Sequence, residues 1–140
     1  MNRSVLIIIY ILLFLVKTGV AQRTAPELLK QAIICADAGE LQSALELCNQ
    51  SIAINPKYDL AFFQRAITRE MMGDITGAIV DYSNVIQIST NNLQAYLNRG
   101  LLYQKIKRKW AAFKDFNAAR SINMAYTISF LTGRAIKSLL

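Results

Sequence analysis

The sequence has no histidine and only two cysteines among its 140 residues. Without histidine, the chain cannot build a Ser-His-Asp or Cys-His nucleophile, a histidine general base, or histidine ligands for zinc or iron. Two cysteines are too few for a four-thiolate zinc site. There is no glycine-rich phosphate loop, and no pair of carboxylates converges for acid–base chemistry. The residue content therefore predicts a non-enzymatic protein without a metal or a cofactor.

Charged residues are also scarce, at 18%, whereas hydrophobic residues make up 54% of the chain. A disordered chain has the opposite balance, so these values favour one folded domain. The formal net charge of +7 is unevenly distributed along the sequence. Residues 22–98 include five basic and eight acidic side chains, whereas residues 99–140 include nine basic side chains and a single acid, Asp115.

The densest group of positive charges, called here the basic edge, consists of Lys105, Lys107, Arg108 and Lys109. Such a run is commonly a solvated turn, but an anionic membrane surface, an acidic polymer or an acidic protein would also suit its field. No nucleic-acid-binding motif accompanies these residues, so nucleic acid is not expected as a partner.

The N-terminal segment has the pattern of an export signal. A basic start is followed by twelve apolar residues, Val5–Val16, which span about 18 Å as a helix and fall short of the roughly 30 Å hydrocarbon core. Gly19 and Ala21 have the spacing of small residues at a cleavage site. The sequence predicts a signal peptide over 1–21 and a mature chain that is periplasmic or extracellular. Lys17, directly behind the apolar run, leaves an uncleaved membrane anchor as the alternative.

The remaining chain repeats with a period of 34 residues. Ala44, Ala78 and Ala112 fall in register, and the resulting units are 25–58, 59–92 and 93–126. Each unit contains two stretches with the apolar spacing of a helix, separated by a turn. The predicted helices are roughly 25–38, 41–54, 59–72, 75–88, 93–106 and 109–122, with a seventh over about 127–138.

The units resemble the tetratricopeptide repeat (TPR), in which a large residue, a Leu-Gly pair and a tyrosine are followed by alanine, phenylalanine and proline at fixed spacings. The third unit offers Tyr96, Gly100, Tyr103, Ala112 and Phe116 at these positions. The resemblance implies an all-α protein, an α-solenoid of three helix-turn-helix repeats. A capping helix over 127–140 would cover the exposed face of the last repeat.

The third unit departs from the pattern at the turn between its two helices. Gly39 and Gly73 occupy this turn in the first two units, where glycine can adopt the left-handed conformation that ends a helix. Lys107-Arg108 stands there in the third unit, so we expect its turn to be distorted. Asp81 and Asp115 occupy equivalent positions of consecutive units, which favours a structural role over a catalytic pair.

In the family that this chain resembles, the first helix of each repeat lines a concave face. Eight large apolar residues fall at the inward positions: Leu29, Ile33, Leu60, Phe63, Ile67, Met71, Leu97 and Leu101. We therefore expect a groove that binds an apolar segment. Three occupants fit this expectation: a protein or peptide partner, a second copy of this chain, or its own residues 127–140. The alternative is that the solenoid curls enough to bury these side chains.

Family members that grip the C-terminal carboxylate of heat-shock chaperones have Lys, Arg and Asn at defined groove positions. Leu29, Ile33, Gln64, Gln94 and Asn98 occupy those positions here, without a cation. The resemblance therefore does not extend to that mode of binding, despite the positive net charge.

Cys35 and Cys48 lie on the two helices of the first unit, at unequal distances from its turn. Helix geometry places their Cα atoms about 10 Å apart, whereas a disulfide needs about 4.4–6.8 Å. Two buried thiols are therefore favoured, and a disulfide formed in an oxidising compartment stays the alternative.

Three functions follow from these patterns. The leading hypothesis is an exported, non-enzymatic adaptor that binds a protein through an apolar concave groove. The second is a membrane-associated module, held by an uncleaved N-terminus or by the basic edge. The third, an enzyme or enzyme subunit, lacks a convergent catalytic group.

The export hypothesis predicts cleavage after Ala21, because the short apolar run is followed by small residues at a cleavage spacing. The intact mass of the protein recovered from its native host should correspond to a chain that begins at Gln22. A mass that retains residues 1–21 would favour the anchored alternative.

Overall fold

A computed structural model describes residues 5, 7, 8 and 23–137, with side chains as far as Arg134. The predicted cleavage site and most of the predicted signal peptide lie outside the described residues. Val5, Ile7 and Ile8 are helical. Within the described ranges all regular secondary structure is helical. No helix there is both long enough and apolar enough to cross a membrane.

Helices of 13 or 14 residues follow one another along residues 25–137. They are α1 (Ala25–Asp37), α2 (Leu41–Ile54), α3 (Asp59–Met71), α4 (Ile75–Ile88), α5 (Leu93–Lys105), α6 (Lys109–Ile122) and α7 (Met124–Lys137). Each helix packs against the next, and α1 also contacts α3. The predicted all-α solenoid of helix-turn-helix repeats is therefore confirmed.

Short polar side chains fix where several of these helices begin. Thr24 and Glu27 form a reciprocal capping box: the N–H of Glu27 donates to Thr24 Oγ1 at 3.4 Å, and the N–H of Thr24 donates to Glu27 Oε2 at 2.8 Å. The second bond lowers the pKa of the Glu27 carboxyl. Asp74 and Asn92 likewise accept a bond from the backbone three residues ahead, at the starts of α4 and α5.

The expectation of a distorted turn in the third unit is wrong. Lys107 adopts φ of 62°, close to the 80° and 82° of Gly39 and Gly73. The N–H groups of Lys107 and Arg108 donate to carbonyls three and five residues earlier, at 3.0 and 2.8 Å, as the equivalent residues do in both glycine turns. The hydrogen bonds that close the hairpin therefore hold a lysine in the left-handed region.

Small residues allow the paired helices of each unit to approach closely. Ala32, Ala66 and Gly100 occupy the same repeat position on the first helix, and all three are buried. A Cβ on Gly100 would lie 2.6 Å from the ring of Phe116 on α6, which shows how tight this crossing is. In the middle of the molecule the core is completed by larger side chains, among them Tyr82, Val85 and Leu102.

The last helix, α7, begins at Met124, three residues before the predicted start. Asn123 explains the difference, because its side chain accepts a hydrogen bond from the N–H of Tyr126 at 2.9 Å and so caps α7. The helix packs on α6 and buries Thr127. Residues 138–140 of the predicted capping segment lie outside the described residues.

Replacing Lys107 by glycine should stabilise the fold by about 0.5–1 kcal/mol. The left-handed conformation costs a non-glycine residue about 1–2 kcal/mol, which is partly offset by the larger backbone entropy that glycine loses on folding. Urea denaturation measures the difference. The matched control is Gly73→Lys in the second unit, which should destabilise by a similar amount. Equal stability of both variants and the parent would contradict strain at this turn.

Candidate functional site

The first helices of the second and third units, together with α7, enclose a groove of about 930 Å³. Three of the eight predicted residues, Ile67, Met71 and Leu101, line it. The remaining lining residues are Glu70, Tyr82, Asn98, Leu102, Gln104, Lys105, Phe116, Leu131 and Arg134. Half of the twelve lining side chains are therefore apolar, and the polar half includes one acid and two cations.

The other five predicted groove residues are not all available to a partner. Leu97 is fully buried and Leu29 is 6% exposed, so both belong to the interior. Phe63 is half-buried, with its ring edge packed on Tyr82 at a centroid distance of 5.3 Å. These three share the fifth position of their units, and each of them is at least half-buried.

Ile33 and Leu60 are 40% and 53% exposed, so they remain on the surface, but neither lines the groove between α3, α5 and α7. The eight residues named from the sequence therefore divide into groove, interior and open surface. The side chains that the structure gathers in the groove come mainly from the second and third units.

A polar chain of hydrogen bonds crosses the groove wall. The hydroxyl of Tyr82 donates to Glu70 Oε1 at 2.6 Å and accepts from Asn98 Nδ2 at 3.2 Å. Burial and the hydrogen bond to Glu70 raise the pKa of the Tyr82 phenol far above its usual range. This chain joins the second unit to the third and fixes the orientation of the one carboxylate in the groove.

The C-terminal helix supplies one wall of the groove. Leu131 and Arg134 of α7 line the same space as Met71 of α3. Leu131 and Arg134 therefore border the groove without filling it. The sequence could not show this placement, because apolar spacing identifies a helix but not the direction in which it leaves the preceding one.

Asp81 and Asp115 serve a structural role, at the centre of a buried interaction that we call the Arg–Asp clasp. Arg65 donates to both carboxylate oxygens of Asp81 at 2.9 and 2.7 Å, and Arg99 binds Asp115 with the same two distances. A second arginine, Arg69, donates to Asp81 at 2.8 Å. Both carboxylates are buried, so each one is held between the two helices of its own unit.

Each clasp also reaches the preceding unit. Arg65 Nη1 donates to Asn49 Oδ1 at 2.8 Å, and Arg99 Nη1 donates to Ser83 Oγ at 2.9 Å. Asn49 and Ser83 are 34 residues apart, as are the two arginines. The recurrence of Asp81 and Asp115 was visible in the sequence, and the structure shows that each pairs with an arginine and that the pair joins consecutive units.

The basic edge is exposed along its whole length, and it adjoins an aromatic pair that the sequence reading missed. Trp110 and Phe113 are 68% and 53% exposed, and their rings stack at a centroid distance of 5.4 Å. Lys114 Nζ lies 5.6 Å from the centre of the Trp110 ring. The signal available in the sequence was a tryptophan directly after a run of cations.

The two cysteines are free thiols, as favoured by helix geometry. Cys48 is fully buried, and burial raises the pKa of its thiol to about 11. Cys35 is half-buried. At neutral pH the Cys48 thiol therefore stays protonated and unreactive.

Comparison with known proteins places these features in context. A family model described as TPR repeat matches residues 71–107. Tetratricopeptide repeat protein 36 of Homo sapiens is 31% identical over 100 residues, which cover 69% of this chain and 53% of that protein. Its Drosophila melanogaster homolog is 28% identical over 111 residues, covering 76% of this chain and 60% of that protein. The chain thus spans about half the length of the human relative.

Solved structures share the arrangement of helices. A crystal structure of MamA protein superposes with a TM-score of 0.69 at 25% identity, over 72% of this chain and 55% of that one. The first TPR of Spaghetti (RPAP3), bound to the HSP90 peptide SRMEEVD, superposes with a TM-score of 0.72 over 83% of this chain and 93% of that one. Its identity of 14% indicates a shared fold alone.

Removing the carboxylate of a clasp should destabilise the protein strongly. We expect Asp81→Ala to cost about 3 kcal/mol, because Arg65 and Arg69 would lose their shared partner while remaining mostly shielded from water. Asp115→Ala should cost less, about 2 kcal/mol, since it strands one arginine.

Urea denaturation of both variants tests this order, with Asp37→Ala as the control. Asp37 is exposed, so its loss should change stability by about 0.5 kcal/mol or less. If Asp81→Ala were as mild as the control, the clasp would contribute nothing to the fold.

Proposed function

Because the chain is a tetratricopeptide repeat protein, we propose that it is an adaptor that binds another protein through the groove between α3, α5 and α7. Structural neighbours of this fold bind peptides, as the HSP90-peptide complexes of both Spaghetti TPR domains illustrate. Proteins of this kind typically serve as interaction scaffolds and not as enzymes. The groove's size and apolar floor are the observation on which the proposal rests.

The chemistry of the groove supports an apolar segment as its occupant. Ile67, Met71 and Leu101 offer hydrophobic contacts, and Met71 is 54% exposed in the absence of a partner. Burying an apolar side chain contributes roughly 1.5–3 kcal/mol, so covering this floor would favour binding. The volume of about 930 Å³ falls within the range of ligand-binding clefts.

Charged side chains at the groove would determine the orientation in which such a partner binds. Among the lining residues, Glu70 is negatively charged, whereas Lys105 and Arg134 are positively charged. A peptide with an apolar centre and charged ends of opposite sign would complement this arrangement. Specificity of this kind depends on few residues, because only three of the twelve lining side chains carry a charge.

Capture of a chaperone C-terminus is not the mode that we propose. Asn98 donates to the hydroxyl of Tyr82, and Gln94 donates to the hydroxyl of Tyr126 at 2.7 Å, so both amides have partners within the chain. Leu29 and Ile33 occupy two of the positions that would need a polar or cationic side chain.

We also propose that the adaptor works outside the cytoplasm, in the periplasm or the extracellular space. The support is the pattern of residues 1–21, with its short apolar run and small residues at Gly19 and Ala21. The free thiols of Cys35 and Cys48 are compatible with this proposal, since the helices that bear them hold them apart.

Selection from a random peptide library displayed on phage tests the groove directly. The parent protein should enrich peptides with an apolar core. A variant with Met71→Ser and Leu101→Ser should lose these peptides by tenfold or more in affinity, because two hydrophobic contacts are removed. The control is Val80→Ser, which changes an apolar residue that is 57% exposed on α4 and should bind as the parent does.

Helical circular dichroism of each variant must match the parent for the comparison to hold. Enriched peptides that bind the groove variant with unchanged affinity would show that a different surface is used. The remaining alternative is that a second copy of the chain occupies the groove. Sedimentation at increasing concentration tests it, because the parent would then form a dimer and the groove variant would not.

A further inference from the structure

The start of α6 exposes an aromatic pair, of which the repeat itself does not require the tryptophan. Trp110 and Phe113 stack on each other, and each has more than half of its surface in water. The positions equivalent to Trp110 in the first two units are Gln42 and Thr76. Those units build the same hairpin with polar residues there, so folding does not explain a tryptophan at this position.

Positive charge surrounds this aromatic pair. The basic edge immediately precedes it in sequence, and Lys114 approaches the Trp110 ring from the following turn of the helix. Over residues 99–134 the one acid is Asp115, whose buried carboxylate is already bound by Arg99. Among the described residues no carboxylate forms a salt bridge with the basic edge or Lys114. The local field is therefore positive.

We propose that Trp110, Phe113, Lys114 and the basic edge form a docking surface for an anionic lipid membrane. Tryptophan side chains partition into the interfacial layer of a bilayer, with the ring at the level of the lipid headgroups. Lysine side chains next to them can extend toward lipid phosphates while their methylene groups follow the aromatic surface. The structure places both kinds of side chain together at the beginning of α6.

The composition of the surface distinguishes a membrane from an acidic protein. Lys105, Lys107, Lys109 and Lys114 outnumber the single Arg108. Lysine acts as a mobile point charge, which suits the diffuse charge of lipid headgroups, whereas arginine is favoured for bidentate recognition of carboxylates. An acidic peptide would also leave the protruding aromatic pair in water, whereas a bilayer interface covers the rings and the charges together.

The chain offers a direct probe of this surface, because Trp110 is its single tryptophan. We expect the intrinsic fluorescence of the full chain to shift to shorter wavelength on addition of vesicles of equal parts phosphatidylglycerol and phosphatidylcholine. Quenching by acrylamide should fall at the same time. Pure phosphatidylcholine vesicles should leave both signals unchanged, and raising the salt from about 0.05 to about 0.5 M should reverse the shift.

A pair of matched variants tests the role of charge. Lys107→Gln with Lys109→Gln should weaken partitioning about 25-fold, since each basic residue near an anionic surface contributes about fivefold. Lys30→Gln with Lys57→Gln removes the same net charge from exposed positions of the first unit and should have little effect. Circular dichroism verifies that both variants are folded.

A second pair tests the aromatic contribution and keeps the fluorophore. Phe113→Ser should weaken the partitioning several-fold, because it removes apolar surface that the interface would cover. Val80→Ser, an exposed apolar position on the preceding hairpin, should partition as the parent does.

The native protein alone can overturn the proposal. It fails if anionic vesicles produce no shift, or if neutral vesicles produce the same one. It also fails if the protein cosediments with vesicles while Trp110 stays exposed, since the apolar run Val5–Val16 would then be the membrane contact. A shift with polyglutamate and none with vesicles would assign the surface to an acidic protein. If both charge variants lost the same degree of vesicle partitioning, net charge alone would explain the binding and the proposed surface would be wrong.

Discussion

The buried Arg–Asp clasp is the interaction on which the geometry of the second and third units depends. A carboxylate that is removed from water needs nearly ideal partners, and Asp81 obtains them only if α3 and α4 cross at one register. The same arginine then binds a side chain of the preceding unit, so one residue links the two helices of its own hairpin and also the hairpin before it. The contacts within a hairpin and between hairpins together position the helices that line the groove.

Much of the architecture could be predicted from the sequence, because the same residue types recur at intervals of 34 positions. Alanine at recurring positions marks where helices cross, and glycine marks where hairpins turn. The turn at Lys107 shows the limit of such reasoning. The hydrogen bonds of a hairpin can hold a residue in a conformation that its own preference disfavours, and only the folded chain reveals that the bonds prevail.

The groove was harder to predict than the fold. Spacing places Leu29, Phe63 and Leu97 on an inward face, but the curvature of the solenoid decides whether such a face is open or covered by the next helix. The contribution of Leu131 depends on the path of α7, which apolar spacing does not specify. The exposure of the aromatic pair at Trp110 depends on which face of α6 the next helix leaves uncovered, and residue identity alone does not show this.

The reach of each arginine into the preceding unit also restricts how this chain can change in length. An extra residue inserted in the middle of α2 would turn all later side chains of that helix by about 100°, so Asn49 would face away from Arg65. A change in length by a whole unit of 34 residues keeps each remaining arginine in register with the unit before it. Changes by whole repeats are therefore compatible with this pairing, whereas an insertion of one residue within α2 is not.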